Sequence, residues 1–236
     1  VKIVASYINS DKLKAIGEQG EASISGAPEM HSSTVEINIT KKWMIDAAAR
    51  FESYSDFGSV LTGKFATRYK VADNFNIRGS VSTGFRAPSL AQIHFSNTLT
   101  SFSSGALVQS LIAPNTSNIA RAAGIPELKQ EKSVNASLGF TVKPAPKFTI
   151  TVDGYIVTMK DRVVLSGLFS KEDETLPEEF TSQFPDEVST AQFFANAVNT
   201  TNYGVDIVAD YTKKWGRNTF RVLLAGNFQH INIDKI

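Results

Sequence analysis

The sequence predicts an all-β protein, an antiparallel transmembrane β-barrel segment of about eight long strands. Three observations carry that expectation. Apolar residues recur with a period of two over stretches of ten residues or so. The charges in those stretches gather on one face. The connections between them alternate between short turns and long excursions.

Taken in order, the first stretch is 33–41, with Val35, Ile37 and Ile39 on one face and Glu36 on the other. Residues 43–53 follow, setting Trp43, Ile45, Ala47, Ala49 and Phe51 against Asp46, Arg50 and Glu52. In 61–71, Leu61, Phe65 and Tyr69 oppose Lys64, Arg68 and Lys70; in 76–85, Ile77, Gly79, Val81 and Phe85 oppose Arg78. Residues 133–143 set Val134, Ala136, Leu138, Phe140 and Val142 against Ser133, Asn135, Ser137, Thr141 and Lys143. From Lys147 onward, Phe148, Ile150, Val152, Gly154 and Ile156 oppose Thr149, Thr151, Asp153 and Tyr155. The last two, 202–211 and 219–229, place Tyr203, Val205, Ile207, Phe220, Val222, Leu224 and Phe228 opposite Asp206, Asp210, Arg221, Asn227 and Gln229.

Soluble strands cluster near five or six residues, whereas crossing an outer membrane takes about 9–11 tilted residues. Lipid offers no hydrogen-bond partner, so a spanning sheet must close on itself. A charge at mid-depth on the lipid side costs about 2–4 kcal/mol, which one-sided charge placement avoids. Short turns are expected near 41–42, 72–75, 144–146 and 215–218, and longer external loops at 54–60, 87–132 and 161–200. Such alternation is built into outer-membrane barrels. A soluble barrel would turn the same apolar face inward, and alternation alone does not separate the two. Strand length and loop asymmetry favour the membrane form.

Composition supports this reading by exclusion. The 236 residues hold 24 Lys+Arg against 23 Asp+Glu, so no basic excess calls for nucleic acid. There is no Cys, hence no disulfide, thiolate site or Cys nucleophile. No run approaches 18 apolar residues, so the sequence contains no transmembrane helix. His31, His94 and His230 lie far apart without carboxylates at ligand spacing, and no metal or cofactor site is expected. No nucleophile elbow, Walker or dinucleotide motif occurs, so an enzyme is not expected. Both ends read as cut from a longer protein: Val1–Ala5 is no signal peptide, and the far end still reads as strand.

Four stretches carry a family resemblance. Gly84-Phe85-Arg86-Ala87-Pro88, following 69–83, resembles the segment of TonB-dependent outer-membrane receptors that ends in Gly-Phe-Arg-Ala-Pro and enters an external loop. Residues 50–59 fit the same family upstream. Leu128-Lys129-Gln130-Glu131-Lys132-Ser133 is similar to its Leu-Lys-Pro-Glu-Lys-Ser return strand, with Gln130 in place of Pro. Residues 193–206 are similar to the strand carrying Asn-x-x-x-x-x-Gly-x-[Asp/Glu]. The resemblance implies that 1–236 is the middle part of a 22-stranded barrel in the outer membrane of a Gram-negative bacterium. It implies that the plug, the TonB box and the final strand lie outside this chain. The implied partners are the lipid bilayer, a small nutrient ligand and, through the missing N-terminal region, the TonB complex of the inner membrane. The implied function is active uptake of a scarce nutrient: siderophore-iron, cobalamin or an oligosaccharide. A passive porin or adhesin barrel and a soluble all-β binding module are the alternatives.

The candidate functional residues are those expected on the interior face. With Phe85 toward lipid, Arg86 points into the lumen, toward the plug or ligand. Lys64, Arg68, Arg78, Asp153, Asp206, Asp210 and Arg221 are plug- or lumen-facing candidates, or else simply a wet interior wall. Pro88 has no N–H for the ladder and ends its strand. Residues 171–188 hold seven acids, while the 40 residues 87–126 hold one charge, Arg121. The first reads as a solvated external loop. The second is either a folded cover over an uncharged ligand or a mobile loop.

Overall fold

The computed structural model describes residues 2–8, 29–54, 58–103 and 106–235. Residues 55–57, within the loop expected at 54–60, lie outside the described set. All eight expected strands form, and most run longer than the period-two pattern required. They are β2 (Glu29–Asn38), β3 (Trp43–Tyr54), β4 (Gly58–Ala72), β5 (Phe75–Arg86), β8 (Glu131–Ala145), β9 (Phe148–Leu165), β12 (Phe194–Trp215) and β13 (Asn218–Lys235). A further strand, β1 (Lys2–Ile8), pairs with β2. Together they make an open nine-stranded sheet in the order β1-β2-β3-β4-β5-β8-β9-β12-β13.

Segments expected as loops contain a second sheet of four short strands, in the order β10-β11-β7-β6. These are β6 (Asn97–Ser103), β7 (Ala106–Ile112), β10 (Phe169–Ser170) and β11 (Val188–Gln192). Three helices of one turn or so accompany it: α1 (Leu90–His94), α2 (Asn118–Ala122) and α3 (Glu178–Thr181). The chain divides into two compact units. The first gathers Val1–Phe85, Lys132–Met159 and Thr200–Ile233; the second gathers Arg86–Glu131, Lys160–Asn199 and Asp234–Ile236.

In the first unit the register sorts the two faces. Trp43 pairs with Tyr69 and Tyr69 with Ile77; Ala47 pairs with Phe65 and Phe65 with Val81; Phe51 pairs with Leu61. The alternate rows join Asp46 to Ala66 and Ser80, and Ala48 to Lys64 and Ser82. Each face is therefore continuous in character across strands, because side-chain period and pairing register agree. Leu223 departs from this as an exposed apolar side chain on the face of Arg221, and Met44 and Val60 stand in register with Arg68 and Glu52. The apolar face has nothing packed on it: Leu138 is 68 % exposed and Phe228 71 %. Every buried hydrophobic residue among those described lies in the second unit. An unclosed sheet with Phe220 half exposed is not the closed core of a soluble all-β module.

The second unit has that core. Ile119 and Ala120 of α2 and Ala113 come from the first excursion; Phe180, Phe184, Val188, Ala191 and Phe193 come from the second. Phe180 meets Phe184 at 5.1 Å and Phe169 at 5.7 Å in edge-on ring contacts, a favoured aromatic arrangement. Strand β11 of the second excursion pairs in parallel with β7 of the first. The neutral 87–126 segment thus contains two strands, two short helices and part of a core, and the acidic 171–188 segment buries two phenylalanines.

Candidate functional site

The polar face of the first unit carries seven of the eight candidate residues. The row Met44, Arg68, Arg78 runs across β3, β4 and β5 in register. Beyond it, Arg78 donates from Nε to Asp153 Oδ1 at 2.8 Å and from Nη2 to Oδ2. The two residues belong to β5 and β9, and β8 runs between those strands. The contact is possible because the β8 residue beneath it is Gly139. A Cβ there would fall on the Asp153 carboxylate and within 2.5 Å of the Val152 carbonyl oxygen.

The same device recurs two strands further on. Asn227 of β13 donates from Nδ2 to the Tyr155 hydroxyl of β9 at 3.1 Å, over the intervening β12. The residue beneath is Gly204, where a Cβ would lie 2.7 Å from that hydroxyl. Asn227 also donates to Asp206 Oδ1 at 2.5 Å. Arg221 binds Asp210 through Nε at 2.7 Å, and Thr212 donates to the other Asp210 oxygen at 3.0 Å. Serine and threonine hydroxyls fill the remaining rows, with Ser80 to Ser137 at 2.8 Å and Thr141 to Thr151 at 3.1 Å.

Two candidates stand apart from these pairs. Among the described residues Lys64 and Arg68 meet no carboxylate; Arg68 lies 3.8 Å from the Met44 sulfur. On this face Lys64 lies between Ala48 and Ser82, and Arg68 between Met44 and Arg78. Glu52, which sequence reading placed on this face without a role, is 1 % exposed and pairs with Arg50, with the Tyr54 hydroxyl donating to it. In the β4–β5 turn the Lys70 ammonium, 2.7 Å from Asp73, holds that carboxyl below the ordinary carboxylate range.

In the second unit, Arg86 makes a two-pronged contact with Glu131, Nε to Oε2 at 2.9 Å and Nη2 to Oε1. Glu131 is 4 % exposed and also accepts the Val163 N–H at 2.8 Å. Bidentate guanidinium–carboxylate pairs are the strong members of their class. Asn196 accepts the Lys129 N–H at 2.7 Å and donates to the Lys129 carbonyl at 2.8 Å and the Asp161 carbonyl at 2.6 Å. Asn199 accepts the Asp161 N–H, where the backbone turns to φ 57°. Buried Asn115 donates to the carbonyls of Pro126 and Phe194. The Thr175 hydroxyl and N–H both donate to Asp173, and hold its carboxyl low.

The family-like stretches therefore meet in space: Arg86 with Glu131, and Lys129 with Asn196. Gly84 belongs to the tight fit of its strand, since a Cβ there would lie 2.8 Å from Ser133 Oγ. Ala87 leads to Pro88, which is buried, and Ser89 then caps α1. Its hydroxyl accepts the Gln92 N–H, while the Gln92 side chain accepts the Ser89 N–H, a reciprocal capping box. Glu131, Asn196, Gly139 and Gly204 are the residues that sequence reading left without a part. Among the described residues no group of three His, Asp or Glu could hold a metal ion.

Residues 32–235 match the family model described as TonB dependent receptor-like, β-barrel. The chain belongs to the TonB-dependent receptor β-barrel family. A comparison with curated proteins found no match. Solved receptors share the fold at low identity. The siderophore receptor PirA from Pseudomonas aeruginosa is 14 % identical with a TM-score of 0.60, over 88 % of this chain and 35 % of its own. The RagAB peptide importer is 17 % identical with a TM-score of 0.60, over 89 % and 22 %. The ferric enterobactin receptor PfeA from Pseudomonas aeruginosa, an R480A_Q482A mutant, is 13 % identical with a TM-score of 0.59, over 85 % and 26 %. The chain thus spans 22 % to 35 % of the length of these structures. TonB-dependent receptors are outer-membrane barrels and act as receptors and transporters rather than enzymes.

Proposed function

We propose that the complete receptor, of which this barrel segment is part, lies in the bacterial outer membrane. There it takes up a scarce nutrient with energy delivered by the TonB complex of the inner membrane. The cargo is siderophore-iron, cobalamin, an oligosaccharide or, as for the RagAB peptide importer, a peptide. One observation carries the reading: a sheet whose exposed apolar face has no core on it, and whose opposite face is a charged, hydrogen-bonded wall. Such a sheet suits lipid on one side and a wet interior on the other.

On this reading Arg78, Asp153, Asp206, Asp210 and Arg221 face the interior as an internally paired wall. Lys64 and Arg68, without carboxylate partners, are the positions for an acidic side chain of the plug. Arg86 acts at the strand end, held by Glu131, and the second unit faces the outside medium. The test is fractionation and nutrient accumulation in cells carrying the full-length receptor, with and without TonB. Outer-membrane recovery with TonB-dependent accumulation is expected. A soluble receptor, or accumulation indifferent to TonB, would overturn the proposal.

A further inference from the structure

Strand β6 forms the end of the four-stranded sheet and, among the described residues, pairs only with β7, along one side. Its other side presents a row of main-chain N–H and C=O groups. Exposed edges are usually blunted by charge, proline or a bulge. None of these is present: Asn97-Thr98-Leu99-Thr100-Ser101-Phe102-Ser103 has no charge and no proline. Its register with β7 runs unbroken from Asn97 with Ile112 to Ser103 with Ala106, whereas the β11–β7 pairing shifts at Val188. Residues 97–102 are exposed throughout. Phe102 and its register partner Leu107 are 73 % and 72 % exposed, and Leu99 is exposed as well.

We propose that β6 is a strand-addition site, where an extended, uncharged peptide segment pairs with its free edge. The main-chain groups specify an extended backbone, since nothing else matches their spacing. The partner is uncharged because neither β6 nor its neighbour β7 carries a charge with which a charged residue of the added strand could pair. Leu99 on one face of the strand and Phe102 on the other each offer apolar contact to a side chain of the added strand. The inference rests on the receptor reading above and narrows its cargo to a peptide.

The test uses the full-length receptor in intact cells, with Thr100→Cys labelled by a membrane-impermeant maleimide. The probe is a pool of capped, uncharged ten-residue peptides. Labelling without peptide and its slowing by about tenfold at ten times Kd are expected. A backbone N-methylated version of the pool should leave the rate unchanged, as should the parent pool on a Phe102→Lys background. No labelling in the absence of peptide would show that the receptor's own chain covers β6, and would overturn the inference. Equal slowing by the N-methylated pool, or slowing by a ferric trihydroxamate alone, would do the same. Fractionation of the same cells keeps the two readings apart. A receptor absent from the outer membrane negates the proposed function, whereas a membrane receptor whose β6 label ignores peptide negates only strand addition.

Discussion

Arg78 on β5 and Asp153 on β9 are joined by two hydrogen bonds across an intervening strand, because Gly139 of β8 has no side chain to stand between them. The pair is partly exposed, so its coupling should be about 1 kcal/mol, at the upper end for such pairs. Gly139→Ala should bring that coupling close to zero, and its Cβ must in addition displace the Val152 carbonyl oxygen of β9, a cost that appears in the unfolding free energy but cancels within the cycle. A double-mutant cycle of Arg78→Gln and Asp153→Asn, run in both backgrounds by urea unfolding of the full receptor, measures it.

The same row makes the two ends of the bridge unequal. Arg68 sits directly opposite Arg78 in register, and like charges so placed are destabilising. Asp153→Asn removes the one carboxylate that, among the described residues, binds Arg78, and leaves the two guanidiniums facing each other. Arg78→Gln relieves that repulsion. The first substitution should therefore cost more than the second, by about 0.5 kcal/mol, and the difference should shrink in high salt.

Tyr155 and Asn227 repeat the arrangement over Gly204. Tyr155→Phe removes one hydrogen bond and should cost about 1 kcal/mol. Gly204→Ala should cost more, because the new Cβ meets the Phe228 carbonyl oxygen as well as the tyrosine ring. Equal losses from the two substitutions would show that the close approach over Gly204 is relieved without cost.

The eight long strands were legible because lipid and a wet interior impose opposite chemistry on alternate residues, and 61–71 or 219–229 display that in the residue order alone. The glycine-spanned bridges were not. Gly139 is an ordinary polar-face residue until three strands are placed side by side. Glu131 and Arg86 are 45 positions apart, and only the register of β5 with β8 makes them neighbours. The second unit was hidden for a different reason. Its strands have two to seven residues, too few to establish a period, and its core residues Ile119, Phe180 and Phe193 come from separate segments. Phe180 and Phe184 stand among seven acids, so composition marked as solvated a stretch that packs inward.

Arg86→Ala should leave the buried Glu131 carboxylate accepting the Val163 N–H without the guanidinium that faces it. That costs about 2 kcal/mol, the usual penalty for a charge-bearing group losing its partner. Glu131→Gln should cost less, since an amide oxygen can still accept the Val163 N–H without a charge to bury. Hydrogen exchange at the Val163 amide checks the acceptor: fastest in Glu131→Ala, which has no acceptor at all, and slower in the two variants that keep one.

Phe180 lies at the centre of the second unit's core, touching Phe169, Phe184 and Phe193. Replacing it with Ala opens a cavity worth about 3–5 kcal/mol, more than a unit of this size is expected to spare. Because Ile119, Ala120 and β7 share that core and sheet with the second excursion, Phe180→Ala should expose both excursions together. Limited proteolysis of the full receptor should then cut within 86–131 as readily as within 160–199, while the β3–β4 hairpin stays protected. Cleavage confined to 160–199 would show that the first excursion folds without the second.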